Sequence, residues 1–148
     1  MNISLNDKIR VIQKDEILFK EGQSTTSIFI VKSGEVVALK RSKERLIPIL
    51  WANAQKMLGE EAVLTGGDYS YSAVALSECE IIEIPADQIK RIMASAPAWM
   101  SGLLATLGER SQGMSSAIAE HRISHQELSG TQAELAPQEE NRLKKLLN

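Results

Sequence analysis

Short apolar runs, each closed by turn-forming residues, fill the first two-thirds of the chain and leave few folds open to it. Ile17-Leu18-Phe19 precedes Glu21-Gly22-Gln23, Ile28-Phe29-Ile30-Val31 precedes Lys32-Ser33-Gly34, and Val36-Val37-Ala38-Leu39 precedes a charged stretch from Lys40 to Arg45. Ile47-Pro48-Ile49-Leu50, Tyr71 to Leu76 and Glu80 to Ile84 follow. In the last of these Ile82 and Ile84 flank Glu83, the alternation of a half-buried strand. Pro48 suggests an edge or the loss of a ladder bond. Gly34 lies between two β-rich runs and supplies the positive φ of a hairpin; Gly22 and Gly66-Gly67 read as further turns. Many short antiparallel strands at this spacing imply a sandwich, roll or barrel.

The character changes after Pro85. Pro85-Ala86-Asp87 opens a helix with Ile89, Ile92 and Met93 on one stripe, and Pro97 interrupts it. A longer helix is expected over 98–128. Met100, Leu104, Leu107, Ser111, Met114, Ile118, His121, His125 and Leu128 recur along it as a seam, apolar first and polar later. A lone helix of that length would expose much of its far half, so the seam predicts a homodimer paired through helix 98–128. Ser129-Gly130-Thr131 ends the helix. The remainder, 129–148, holds Pro137, Leu143, Leu146 and Leu147 and reads as a tail or one short amphipathic helix.

Composition bounds the functional classes. A chain of 148 residues, 43% hydrophobic and 24% charged, can bury a core without staples. Its net charge of -2 gives no global field for nucleic acid or acidic membranes. The lone Cys79 cannot form an internal disulfide, which suits a reducing compartment, and it reads as a strand residue and not a nucleophile. No apolar run approaches the ~18 residues of a membrane span, and MNISLNDKIR lacks an apolar signal core. The expected location is cytoplasmic.

The order of several segments resembles a known family. Leu18-Phe19-Lys20-Glu21-Gly22, Ile28 through Val36 and Leu58-Gly59-Glu60-Glu61-Ala62-Val63-Leu64 resemble the cyclic-nucleotide-binding domain of bacterial catabolite-activator-type regulators and of cyclic-nucleotide-dependent kinases and channels. Cys79 to Ile84 and Pro97 fall where that family has its last strand and the proline before its long helix. The resemblance covers roughly 9–128 and implies an antiparallel, jelly-roll-like β-roll followed by a long C-terminal helix. It divides the chain into a sensor roll at 1–97, with a phosphate-binding-cassette-like segment at 58–76, a dimerisation helix at 98–128 and the tail. It further implies a regulatory or sensor module in signal transduction, not an enzyme, whose candidate ligand is cAMP or cGMP and which has no other cofactor.

In the family's cassette a Gly-Glu pair opens a short helix, the Glu accepts from the ribose, and an Arg some ten residues on grips the cyclic phosphate. Free N–H groups at a helix start and a bidentate guanidinium both suit that anion. The resemblance carries this role to Gly59, Glu60, Glu61 and Ala62, and its Arg-Ser pair falls on Tyr69-Ser70. From Thr65 to Leu76 there is no Arg or Lys. Ser70 and Tyr69 can still donate hydrogen bonds, but without charge. A hydrogen bond to a charged partner contributes about 1.5–3 kcal/mol, so its loss costs one to two decades of affinity. The expected ligand affinity is therefore weak or altered, and the alternative is a ligand-free protein-interaction module of the same fold. Lys56, Arg41 and Arg45 are the candidate replacement cations. On the long helix the base-contacting positions correspond to Met114 and Ser115; Ser115 can bond a purine edge and Met114 suits packing.

Other chemistry has less support. His121 and His125 share a helix face at metal-binding spacing, but no acid or Cys completes a set. A cupin-like metal barrel would need its histidines on strands. There is no nucleophile motif, P-loop or dinucleotide fingerprint. The tail after the long helix is short and not basic enough for DNA, so neither direct DNA binding nor a membrane is expected.

Overall fold

Gly34 marks how tightly the chain turns. In the computed structural model, which describes residues 8–121 and 135–148, Gly34 has φ 85°. A Cβ there would lie 2.3 Å from the Glu78 carbonyl oxygen, so only glycine fits the turn. The turn joins β3 (Ser27–Ser33) to β4 (Val36–Ser42). The other strands are β1 (Lys8–Ile12), β2 (Ile17–Phe19), β5 (Arg45–Ala52), β6 (Met57–Leu58), β7 (Ser72–Ala75) and β8 (Cys79–Pro85).

They form two antiparallel sheets, ordered β1-β8-β3-β6 and β2-β7-β4-β5. This is the expected β-roll. Pro48 sits in β5, an edge strand, and faces Leu39 where the register with β4 slips. β1 departs from the apolar-run pattern of the other strands: Ile9 and Val11 are exposed and only Ile12 is fully buried. Phe19, Phe29, Val36, Leu58, Tyr69 and Tyr71 meet in the core between the sheets. Phe19 stacks on Tyr69 with ring centroids 4.0 Å apart.

Four helices complete the described residues: α1 (Glu60–Thr65), α2 (Ala86–Ser95), α3 (Ala98–His121) and α4 (Pro137–Leu147). The break at Pro97 separates α2 from α3, as expected. The long helix is described to His121; the remainder of the expected span, with His125 and Leu128, lies outside the described residues.

The expected seam on α3 divides between two faces. Leu104, Ser111 and Ile118 turn inward, together with Gly108 and Ser115, whereas Leu107 points to solvent with Leu103, and Met114 lies between the two faces, exposed but at the cavity rim. The inward line follows the 3.6-residue period because α3 packs on α1 and on its own sheet. Gly108 permits the close approach: a Cβ there would lie 2.9 Å from Leu64 Cβ.

The tail forms a helix. α4 lays Leu143 and Leu147 against Val37, Leu39, Leu46 and Val74 on the outer face of the second sheet. Glu140, 6% exposed, accepts from Arg45 Nε at 2.8 and 3.0 Å and from the Leu46 N–H at 3.1 Å, and pairs with Lys144 at 3.0 Å. Arg142 adds an ion pair to Asp15.

Candidate functional site

The chain leaves β6 through Gly59 at φ 80°, a conformation that suits glycine, and enters α1 at once. The first turn of α1 therefore projects Glu60 and Glu61 beneath α3. A cavity of about 200 Å³ opens there, with Ala38, Ile49 and Leu50 from the sheet, Tyr71 at one side, and Ser111, Met114, Ser115 and Ile118 from α3. It is smaller than the ~300–1,000 Å³ usual for small-molecule pockets.

Two carboxyls face this space. Glu61 is 2% exposed. Its Oε1 accepts from Ser70 Oγ, and its Oε2 accepts from Ser111 Oγ at 3.0 Å. Burial pushes Glu61 up to about 7 and Glu60 adds to this, while the Ser111 hydrogen bond and Lys40 oppose it. Burial also raises Glu60, against a hydrogen bond from its own backbone N–H. Glu60 Oε2 is buried with no hydrogen-bond partner among the described residues. Tyr71 is raised well above the usual phenol range, chiefly by burial.

The expected residues are only partly gathered. Glu60, Glu61 and Ser115 line the cavity, and Ser70 reaches it through Glu61. Gly59 sits at its edge, but its N–H already donates to Tyr71 Oη at 2.9 Å. Ala62 is fully buried in the core beneath α1. Tyr69 is placed elsewhere than the resemblance suggested. It stacks on Phe19, donates to the Ser27 carbonyl at 2.6 Å and accepts from the Ser27 N–H at 3.1 Å. Neighbouring residues of an extended chain point to opposite sides, so Ser70, between two core tyrosines, is the one turned toward α1.

The candidate replacement cations are not at the cavity. Arg45 is committed to Glu140, Arg41 reaches Asn148 Oδ1 at 3.2 Å, and Lys56 is exposed on a turn. The cation near the site is Lys40, which escaped notice in the sequence. Its ammonium donates to the Ser70 carbonyl and pairs with Glu21 at 3.2 Å. Strand alternation is the signal that finds it, since Lys40 shares the face of Ala38, which lines the cavity. Among the described residues no group of His, Cys, Asp and Glu has the geometry to hold a metal.

Comparison with known proteins gives a consistent picture of the fold. The model of the cyclic nucleotide-binding domain matches residues 9–96. No curated protein matches the chain. Among solved structures, the EAL enzyme Bd1971 in its cAMP-bound form superposes with a TM-score of 0.66 at 23% identity, over 72% of this chain and 29% of that one. The Thermus thermophilus catabolite activator protein gives 0.60 at 19% identity, over 76% and 53%. The cyclic nucleotide-binding-like protein from Brucella abortus gives 0.52 at 27% identity, over 60% and 77%. The chain thus spans less than a third of the length of the first and about half of the second.

Proposed function

The chain belongs to the family of cyclic nucleotide-binding domains, and from that premise we propose that it is a non-catalytic regulatory module whose cassette holds cyclic mononucleotides only weakly. The observation that carries this reading is the charge of the cavity: two carboxyls line it and, among the described residues, no cationic side chain does. A cyclic phosphate entering there would give up its hydration to face Glu60 and Glu61. The ribose-binding role that the resemblance assigns to Glu60 is still open to that residue, because its Oε2 has no donor. Ser115 stands at the cavity wall for a base edge.

The signal would leave through α3, which touches both the cavity and solvent. Met100, Leu103, Leu107 and Met114 are between 37% and 56% exposed, an apolar face that supports pairing of two copies. The lone buried Cys79 suits a reducing, cytoplasmic setting. No described helix is long and apolar enough to cross a membrane.

Titration calorimetry with cAMP and cGMP tests the reading. The expected result is a Kd of about 10–100 μM, the level left when a micromolar binder loses one to two decades. A micromolar Kd for either nucleotide overturns it. A second reading, a ligand-free interaction module, is favoured by the small cavity and by the commitment of Ser70 and Ser111 to Glu61. It predicts no heat and no shift in melting temperature even at millimolar ligand.

A further inference from the structure

Buried carboxyls are costly, and an apolar side chain would fill the place of Glu61 without that cost. Yet both of its oxygens are satisfied, one from each side of the cavity: Ser70 precedes β7, and Ser111 belongs to α3. Tyr71, also on the wall, accepts from the Gly59 N–H. Lys40 is drawn toward the Ser70 carbonyl and Glu21. An anion entering this space would meet the Ser70 and Ser111 hydroxyls already donating to Glu61 and a second carboxyl, Glu60, whose Oε2 has no donor.

The same group bridges two elements. Contacts between α1 and α3 include the tight seat of Gly108 on Leu64, a hydrogen bond from Gln112 Nε2 to Thr65 Oγ1 at 3.2 Å, and the Ser111–Glu61 bond. Of these, the last reaches the cavity wall.

We propose that Glu61 is the specificity-determining residue of this cavity, excluding anions by its charge and by occupying the Ser70 and Ser111 hydroxyls, and in the same act tying α1 to α3. This rests on the reading that the cavity is the module's ligand site. cAMP serves as the anionic probe, titrated into the wild-type chain and Glu61→Gln, with amide exchange of α3 followed in the wild type and Ser111→Ala. Gln keeps the shape and one acceptor oxygen, replaces the other with an NH2 donor, and removes the charge. At pH 8, where the Glu61 carboxyl is mostly charged, Glu61→Gln is expected to bind cAMP about tenfold more tightly than the wild type, because a like charge facing a bound anion costs a decade or more. Ser111→Ala, a small change on a helix, is expected to speed exchange along the inward face of α3 by about fivefold, the effect of losing one hydrogen bond. A Glu61→Gln variant that binds no tighter than the wild type overturns the proposal, as does a Ser111→Ala variant that exchanges at the wild-type rate. Micromolar binding by the wild type alone would instead overturn the proposed function, so the two failures are read from different samples.

Discussion

Glu61 should titrate near neutrality, and its protonation has a definite sign for stability. Its carboxyl is raised to about 7 when folded, from about 4.5 in the open chain, so folding favours the protonated form. That contribution is fully present below pH ~4.5 and is lost as pH rises through about 7. Glu60 is displaced in the same direction and adds to it. The groups around the pair, Ser70, Ser111, Tyr71 and Lys40, include one cation, which moderates the loss without reversing it. Glu140 has the opposite sign. Burial alone would raise it, but Arg45, Lys144 and the Leu46 N–H outweigh burial and hold it at about 2. Its stabilisation is present above ~4.5 and is lost as pH falls through about 2. The melting temperature should therefore decline between pH 5 and 7.5, and Glu61→Gln should flatten that decline; thermal unfolding across this range measures both. At this scale the sequence was readable only in part. Glu60 and Glu61 stand out by adjacency, whereas the inward turn of Tyr69 depends on the phase of the strand, which no local feature around Tyr69-Ser70-Tyr71 announces.

Among the elements, the contact between α1 and α3 is the one set by a single missing methyl. Gly108→Ala forces a Cβ to within 2.9 Å of Leu64 and 3.2 Å of Thr65 Cγ2, so the helices must separate. A cost of about 1–3 kcal/mol is expected from such overpacking. Gly113 lies on the same helix with nothing within 4 Å of the equivalent Cβ. There the same substitution should stabilise by about 0.5–1 kcal/mol through helix propensity. Urea unfolding of the two variants checks both signs, and equal effects would show that α3 is not seated on α1 through Gly108. Apart from β1 and the two-residue β6, the strands were legible because turn residues punctuate them. Pro48 pointed to an edge or a lost ladder bond, and β5 is an edge with a register shift beside it. The helical seam was not, because an alternating three-and-four spacing picks out one continuous stripe, while α3 uses Ser111 and Ile118 against the roll and Leu107 toward solvent.

For the whole molecule, two surfaces remain to be accounted for. The exposed face of α3 predicts self-association: Leu107→Glu should turn a dimer into a monomer in sedimentation equilibrium, and a wild-type monomer at high concentration would refute the pairing. The outer face of the second sheet is covered by α4, and here the sequence offered two outcomes, helix or loose tail. The choice between them was made by distant partners, since Val37, Leu39 and Val74 supply the apolar seat and Arg45 the counter-charge for Glu140. Removing residues 135–148 uncovers that seat. The truncated chain is expected to lose stability and to bind a hydrophobic dye such as ANS in its folded state; unchanged melting without dye uptake would mean α4 contributes nothing.

Because α3 rests on one side of the roll and α4 on the other, the roll is clasped front and back by successive stretches of a single backbone. Lifting α3 from the cavity would therefore leave the rear cladding in place, since Glu140 and Leu143 hold to Arg45, Leu46 and Val74 on the opposite face of the sheet.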